Sequence, residues 1–579
     1  MAVRLKTPYT VEEIPHAEHP LPQCMREHWM TLNGRWRFYK ADAAGNRFFE
    51  GDILVPFSPE SLLSGIPEGF CLARGEKLRY VRTVTVDRLL LLGRTELHFG
   101  AVDSECEVFV NGVSVGAHRG GFTAFCFDVS RLLHEGENTV EVIVSDEATR
   151  NGGARGKQSD TRGGIWYTPQ SGIWQSVWLE SMPEKYIANP RITPNAEDKA
   201  VKIEVSSPEQ VVAHVFDEGK EIITEEFVGE ITLSYDFSLW SPENPKLYDL
   251  VLTNEHGDKI TSYFGVRSFG HVIDSTGRVR LALNGKPYFF NGVLDQGYWS
   301  DGMLTYPSDK AAYDELKMLK DMGFNTVRKH IKLEPARWYY HCDRLGLAVW
   351  QDFPNGGGAY RFSHIAALPF LGVKHRDHDY AYFAREDAAG RAEFDGMVRE
   401  IVAQLYNAVS IAVWVPFNEG WGQFDSAKYT DMVRNLDQTR IIDSVSGWHD
   451  QGVGRTALRS LHIYYTPLRV PKDPRPVVLS EFGGYSLKTE GHVFDPDKEF
   501  GYKKFKNQAE LLAALQTLFL KKLRPLIAKG LCGAIYTQLS DVEEEINGLV
   551  TYDRAVQKVP TAQMRAINDA LAAAAAEIK

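Results

Sequence analysis

The feature that most limits what this chain can become is a change of rhythm near residue 272. Before it come short runs such as LRYVRTVTV, TELHFGAV, CEVFVNGVSVG and NTVEVIVSD, in which apolar and polar residues alternate between turn signals. Alternation with period two builds half-buried antiparallel strands, so a β-sandwich is expected over residues 1–183. A second set of such runs (AVKIEVSS, VVAHVFD, EITLSYDFS, LYDLVLTNEHGDKITSYFGVRSF) predicts an immunoglobulin-like sandwich over 184–272. Between the two sets, RNGGARGKQSDTRGGIWYTPQSGIW reads as a long ordered loop. After residue 272, eight short apolar runs alternate with amphipathic helical stretches: PYFFNGV, NTVRKH, LAVWQDF, IAVWVPFNE, IIDSVSG, SLHIYY, VVLSEFG and GAIYTQL. That rhythm predicts a (β/α)8 TIM barrel over 273–579. The competing doubly wound sheet would show a GxGxxG after a strand, and none is found. A chain of 579 residues has room for three or four domains at about 150 residues each.

Composition removes other function classes. Apolar residues are 44% and charged residues 24%, the values of an ordinary folded protein. A net charge of −11 is a poor match for phosphate backbones, so no nucleic-acid partner is expected. No apolar run reaches membrane-spanning length. The first residues, MAVRLKTPYTVEEIPHAEHP, lack the apolar stretch of a signal peptide, and a cytoplasmic location is expected. The six cysteines are scattered without a CxxC, which predicts reduced buried thiols, with a Cys106–Cys126 bridge as the alternative.

In such a barrel, chemistry sits at the carboxyl ends of the strands. These ends carry Asp295 and Gln296; Arg328, Lys329 and His330; Gln351 and Asp352; Asn418 and Glu419, followed by Trp421; Trp448, His449 and Asp450; His462, Tyr464 and Tyr465; Glu481; and Tyr536 and Gln538. Glu419 and Glu481 stand out, because each closes a strongly apolar run, where a carboxylate is costly unless used or paired. One glutamate past a strand is ordinarily a surface charge. Two, framed as WVPFNE and VVLSEFGG, form the pair that glycosidic hydrolysis needs, one to attack the sugar carbon and one to protonate its leaving oxygen. Trp414, inside an apolar strand, is expected in the core. Trp421 and Trp448 follow strand ends, where an indole face stacks on a sugar, and Trp299 is a weaker candidate. His462 reads equally as a structural or a pocket residue. Glu543 and Glu544 read as a solvated charge run, with a place on the pocket rim as the alternative.

With these motifs in view, the chain resembles glycoside hydrolase family 2, which contains β-galactosidases, β-glucuronidases and β-mannosidases. The resemblance rests on CEVFVNGVSVGAHRGGFTAFCFDVS and SGIWQSVWLE, on YFGVRSF, and on NTVRKHIKLEPARWYYHCDRLGLAVWQDFP, WVPFNEGWG and LSEFGG. It implies a jelly-roll N-terminal domain, Glu419 as acid/base and Glu481 as nucleophile. It implies that Arg328 keeps Glu481 charged, that Asn418 binds the sugar 2-hydroxyl, and that Tyr464 donates to the nucleophile, with Tyr465 as its alternative. His330 and Asp352 match polar positions of the sugar pocket. Asp295 and Gln296 stand where many members have a histidine. No Asn-x-Lys follows the last strands; Asn244-Pro-Lys246 has the spelling but lies in the second domain. In glucuronidases that motif reads the sugar carboxylate, so its absence makes glucuronidase activity the less expected form, with Lys329 or Arg155 left as the candidate contact for an acidic sugar. The expectation is a retaining exo-β-glycosidase acting on an oligosaccharide or small β-glycoside. A β-galactosidase is the simplest form; a β-glucuronidase, β-galacturonidase, β-mannosidase or arabinopyranosidase is the alternative. A catalytically inactive carbohydrate-binding protein and a metal-dependent barrel hydrolase are the readings outside that class. No metal or cofactor is expected, a homo-oligomer is implied, and the insertion at 354–390 should narrow the pocket or reach a partner subunit.

Overall fold

The computed structural model describes residues 3–42, 44–147, 152–452 and 458–578. The first residues of the glycine-rich loop, Arg150 and Asn151, lie outside them.

The N-terminal unit is two antiparallel sheets. One has six strands, in the order Arg47–Val55, Gly34–Ala41, Lys77–Val86, Gly136–Ser145, Glu105–Val110 and Val113–Arg119. The other has four: Trp29–Thr31, Val177–Met182, Arg94–Phe99 and Phe125–Asp128. Alternate residues face inward, so Trp36, Phe38, Tyr80, Leu97, Phe99, Val108 and Val142 form one buried core between the sheets. The next unit packs a three-stranded sheet against a four-stranded one, around Ile192, Ile203, Val215, Leu250 and Ile260.

The C-terminal unit is an eight-stranded parallel sheet curled into a (β/α)8 barrel. In chain order its strands are Phe290–Asp295, Thr326–Lys329, Ala348–Asp352, Ile411–Val415, Ile441–Ile442, Arg459–Ile463, Val477–Gly483 and Leu531–Thr537. The sheet begins at the fifth strand, runs back to the first, and continues through the eighth and seventh to the sixth. Its two ends meet at Ser446, whose hydroxyl lies 3.4 Å from that of Ser460 on the sixth strand. The strands are buried on both faces: Phe290, Trp350, Val413, Val478 and Ile535 fill the interior, and helices cover the outside. Helix Asp309–Asp321 starts at Ser308, whose side chain accepts from the Ala311 N–H. Helix Ala388–Leu405 buries Phe394, Met397, Val398, Ile401, Val402 and Leu405, a spacing of three and four that makes one apolar stripe. Between the third strand and that helix, the insertion forms short helical turns over 363–370 and is pinned to the N-terminal loop by an Ala154–Gly356 bridge.

All six cysteines are free, and Cys71 and Cys126 are exposed rather than buried. Among the described residues, no helix is long and apolar enough to cross a membrane.

Candidate active site

Glu481 lies within the fully buried seventh strand. Glu419 lies just past the fourth strand in the left-handed region, with φ of 50°. A non-glycine residue there is strained by about 1–3 kcal/mol and must be held by its surroundings. The hold comes from the fifth-strand connection: Glu419 N–H donates to Ser446 C=O at 3.0 Å, and Asn418 bridges Ser446. Between the carboxylates stands His462 of the sixth strand. Its Nδ1 is 2.6 Å from Glu419 Oε1 and 3.4 Å from Glu481 Oε2, and its Nε2 is 3.0 Å from Ser446 Oγ. One side-chain atom from each of Glu419, His462 and Glu481 lies within 4.8 Å of the other two.

A buried guanidinium organises the floor. Arg328 donates through Nε and Nη2 to both oxygens of Asp352, each at 2.9 Å, the paired geometry arginine favours. Its Nη1 reaches Glu481 Oε1 at 3.2 Å and Ser480 C=O at 3.0 Å, and its Nη2 reaches Asn418 Oδ1 at 2.7 Å. Fixing that oxygen leaves the Asn418 amide Nδ2 buried without a partner, free for a ligand hydroxyl. His330 Nδ1 lies 2.8 Å from Asp352 Oδ2. Tyr464 donates to Glu481 Oε2, and its ring lies flat on Tyr502 with centroids 3.7 Å apart.

The electrostatics separate the two carboxyls. Burial pushes Glu419 up to about 8, against the pull of Lys157 and Arg328. Burial raises Glu481 too, and Glu419 adds to the rise; His462, Arg328 and the Tyr464 phenol draw it back without bringing it down to the usual glutamate value. Burial drops His462 to about 4 and His330 to about 3, so both imidazoles are neutral at neutral pH. The neutral His462 donates from one nitrogen and accepts at the other. By spacing, the Glu419–His462–Glu481 trio could grip a divalent cation. Arg328 already sits on Glu481, and the Lys157 ammonium adds positive charge, so the trio is a poor cation trap.

The structure brings Glu419, Glu481, Asn418, Arg328, Tyr464, His330 and Asp352 together. Asp352 spends both oxygens on Arg328 and His330 and so positions them. Trp421 packs between His330 and Trp166, with centroids 6.1 and 5.1 Å away. Trp448 stands at the rim against Phe370, 5.0 Å away, and 6.3 Å from His462. Tyr465 is 67% exposed and does not meet Glu481. Trp414 is in the core, with its indole N–H on Asp437, and Trp299 is buried against Tyr9 and Arg554.

Three expectations are corrected. Asp295 is not a pocket residue: it is fully buried and forms an ion pair with Lys329, its register partner on the second strand. Lys329 also pairs with Glu334 at 2.7 Å, and Arg155 is bound by the carbonyls of Gly357 and Gly358, so neither is spare for an acidic sugar. Glu543 and Glu544 are not solvated; with Glu545 they are buried under the N-terminal unit's glycine-rich loop. Thr168 N–H donates to Glu543 at 2.9 Å, Gly164 N–H to Glu544 at 3.1 Å, and the Tyr167 phenol to Glu545 at 2.5 Å.

That loop supplies the residues that sequence reasoning missed: Lys157, Trp166 and Tyr167. The available signal was a Trp-Tyr pair set among glycines in a connection too long to be a simple turn.

Comparison with known proteins agrees with this architecture. Residues 68–183 match the sugar-binding domain of glycosyl hydrolases family 2, residues 185–267 match a further family 2 domain, and residues 277–567 match its TIM-barrel domain. A putative β-glucuronidase of Formosa agariphila is 26% identical over 364 residues, 59% of this chain and 40% of its own length. A β-galactosidase of Photobacterium profundum is 25% identical over 545 residues, 81% of this chain and 49% of its own length. The chain thus spans under half the length of these curated relatives. The crystal structure of a β-galacturonidase from Eisenbergiella tayi bound to galacturonate shares the fold, with a TM-score of 0.69 at 17% identity over 98% of this chain and 99% of that one. With more than half of its length matched to the family's models, the chain belongs to glycosyl hydrolases family 2.

Proposed function

We propose that this protein is a retaining exo-β-glycosidase that releases a terminal hexuronic acid through a covalent glycosyl–enzyme. One observation carries the mechanism: Glu419 and Glu481 face each other across His462, with one side-chain atom from each of the three within 4.8 Å of the other two. Retaining enzymes hold their carboxyls about 5–5.5 Å apart, whereas inverting enzymes leave room for a water between them. Glu481, held by Arg328 and Tyr464, attacks the anomeric carbon. Glu419, raised by burial and therefore protonated at neutral pH, gives its proton to the leaving oxygen. Once the sugar ester has formed, the negative charge on Glu481 is gone. The pKa of Glu419 then falls, and it takes a proton from the attacking water. Asn418 Nδ2 donates to the 2-hydroxyl, a contact that strengthens as the ring flattens. The insertion and the N-terminal loop wall the barrel mouth, which suits removal of one end sugar.

The uronic acid is favoured over galactose by the relatives named above as a glucuronidase and a galacturonidase. The β-galactosidase reading stands second, supported by the Photobacterium profundum relative. Nitrophenyl β-glucuronide, galacturonide, galactoside, mannoside and α-L-arabinopyranoside would be tested in one panel, and the anomer released would be followed by proton NMR. The expected result is turnover of a uronide with the β-anomer appearing first. An α-anomer first would overturn the mechanism, and turnover of the galactoside alone would overturn the sugar.

A further inference from the structure

Lys157 comes from the N-terminal unit, yet its ammonium lies at the barrel mouth. It is 4.7 Å from the ring centre of Trp421, 5.5 Å from that of Tyr167 and 5.7 Å from that of Trp166. The residue is 4% exposed and, among the described residues, its ammonium makes no hydrogen bond or ion pair. A buried charge without a partner is expensive, and aromatic faces offset only part of that cost. The carboxylates that act on it are Glu545, Glu481 and Glu419, and none is within ion-pair reach. Glu545 is already engaged by the Tyr167 phenol and by Asn547.

Among the described residues, the nearby barrel cations are spent. Arg328 is saturated by Asp352, Glu481, Asn418 and a carbonyl. Lys329 holds Asp295 and Glu334, while Lys332 holds Glu334 and the carbonyls of Gly297 and Leu304. The Trp421 indole N–H, beside Lys157, is also buried without a partner. A cation with unused donors and a neighbouring unused N–H form a receptor for an anion. A sugar hydroxyl would accept one hydrogen bond but leave the charge uncompensated, whereas a carboxylate satisfies both.

We propose that Lys157, with the Trp421 N–H, binds the carboxylate of the terminal uronic acid, so that the N-terminal unit sets the sugar specificity of the barrel. This rests on the uronide reading above. The same ammonium offsets the repulsion that Glu481 and Glu545 exert on an incoming anion.

The test compares wild type, Lys157→Met and Lys157→Arg on nitrophenyl β-glucuronide, β-galacturonide and β-galactoside. Melting shifts with free glucuronate and galacturonate are recorded in parallel. For Lys157→Met, kcat/KM on the uronide should fall about 100-fold, mostly through KM, the loss expected for one charge-assisted contact. Any loss on the galactoside, which has no carboxylate, should be clearly smaller, so the ratio of the two kcat/KM values reports the contact to the sugar carboxylate. Lys157→Arg should recover part of the loss, and the uronate-induced melting shift should vanish in Lys157→Met. Wild-type uronide turnover left unchanged by Lys157→Met would overturn this inference alone. Absence of uronide turnover in the wild type, with a neutral glycoside cleaved, would overturn the uronide reading and this inference with it.

Discussion

The Nδ1 of His462 stands 2.6 Å from Glu419 Oε1, and its imidazole is neutral because burial lowers its pKa to about 4. The neutral ring has one N–H and one bare nitrogen, and this contact ties it to a carboxyl that must itself carry a proton. That contact engages one Glu419 oxygen and fixes the orientation of the carboxyl. His462→Ala should cost about 100-fold in kcat on alkyl glycosides and clearly less on nitrophenyl ones, whose leaving groups need little protonation. Equal losses on both would show that His462 serves the nucleophile instead.

Removing the carboxyls themselves should separate the two steps. Glu481→Ala should leave no measurable turnover on any substrate. Glu419→Ala should lose about 1,000-fold on an alkyl glycoside but under about tenfold in the glycosylation of a dinitrophenyl glycoside. Azide should then restore turnover and yield a β-glycosyl azide, identified by mass spectrometry and NMR.

The raised pKa of Glu419, about 8, fixes two signs. Only the protonated form is a general acid, so kcat/KM should fall as pH rises through about 8, and that limb should disappear in Glu419→Gln. Stability follows the same group. Its folded pKa is above the unfolded value near 4.5, so the native state binds more protons between those two values. The wild type should lose stability across that interval while Glu419→Gln does not. The variant should then be the more stable protein at pH 8, by about 1 kcal/mol or more, and should match the wild type near pH 4. Denaturant melts at the two pH values read the difference.

Neither removal nor conservative replacement of Arg328 should be silent. Arg328→Ala strands Asp352 and Glu481 as unpaired buried acids and should cost about 3–5 kcal/mol of stability. Arg328→Lys keeps the charge but not the two-pronged bond to Asp352. It should fold while moving the acid limb of the pH profile upward, because one ammonium cannot hold Asp352 and reach Glu481 together, and Glu481 loses the close donor that draws it down.

The strand ends were legible because a carboxylate after a run such as IAVWVPFN or VVLS breaks the apolar pattern. The roles of Asp295 and Lys329 were not. Both sit at strand ends, and only the parallel register of the first and second strands pairs them. Glu543 and Glu544 look like any acidic surface run in sequence. What buries them is backbone N–H donation from a loop, as from Gly164, 380 residues from Glu544. Lys157 was invisible for the same reason, since its surroundings are assembled from separate folding units. The choice between Tyr464 and Tyr465 turned on which way the chain faces as the sixth strand ends, and sequence alternation is unreliable at that boundary.

The glycine-rich loop also bears on how this protein could be taken apart. Arg385, from the connection after the third strand, donates to Gly152 C=O at 3.1 Å, and Arg155 returns the tie to Gly357 and Gly358. The seam between modules thus runs through the reaction chamber rather than beside it. A chimera that exchanged the barrel at its nominal border would inherit one scaffold's chemistry and another's wall. Cutting instead so that residues 152–174 travel with the barrel would keep the chamber whole, even though those residues precede it by an entire intervening sandwich.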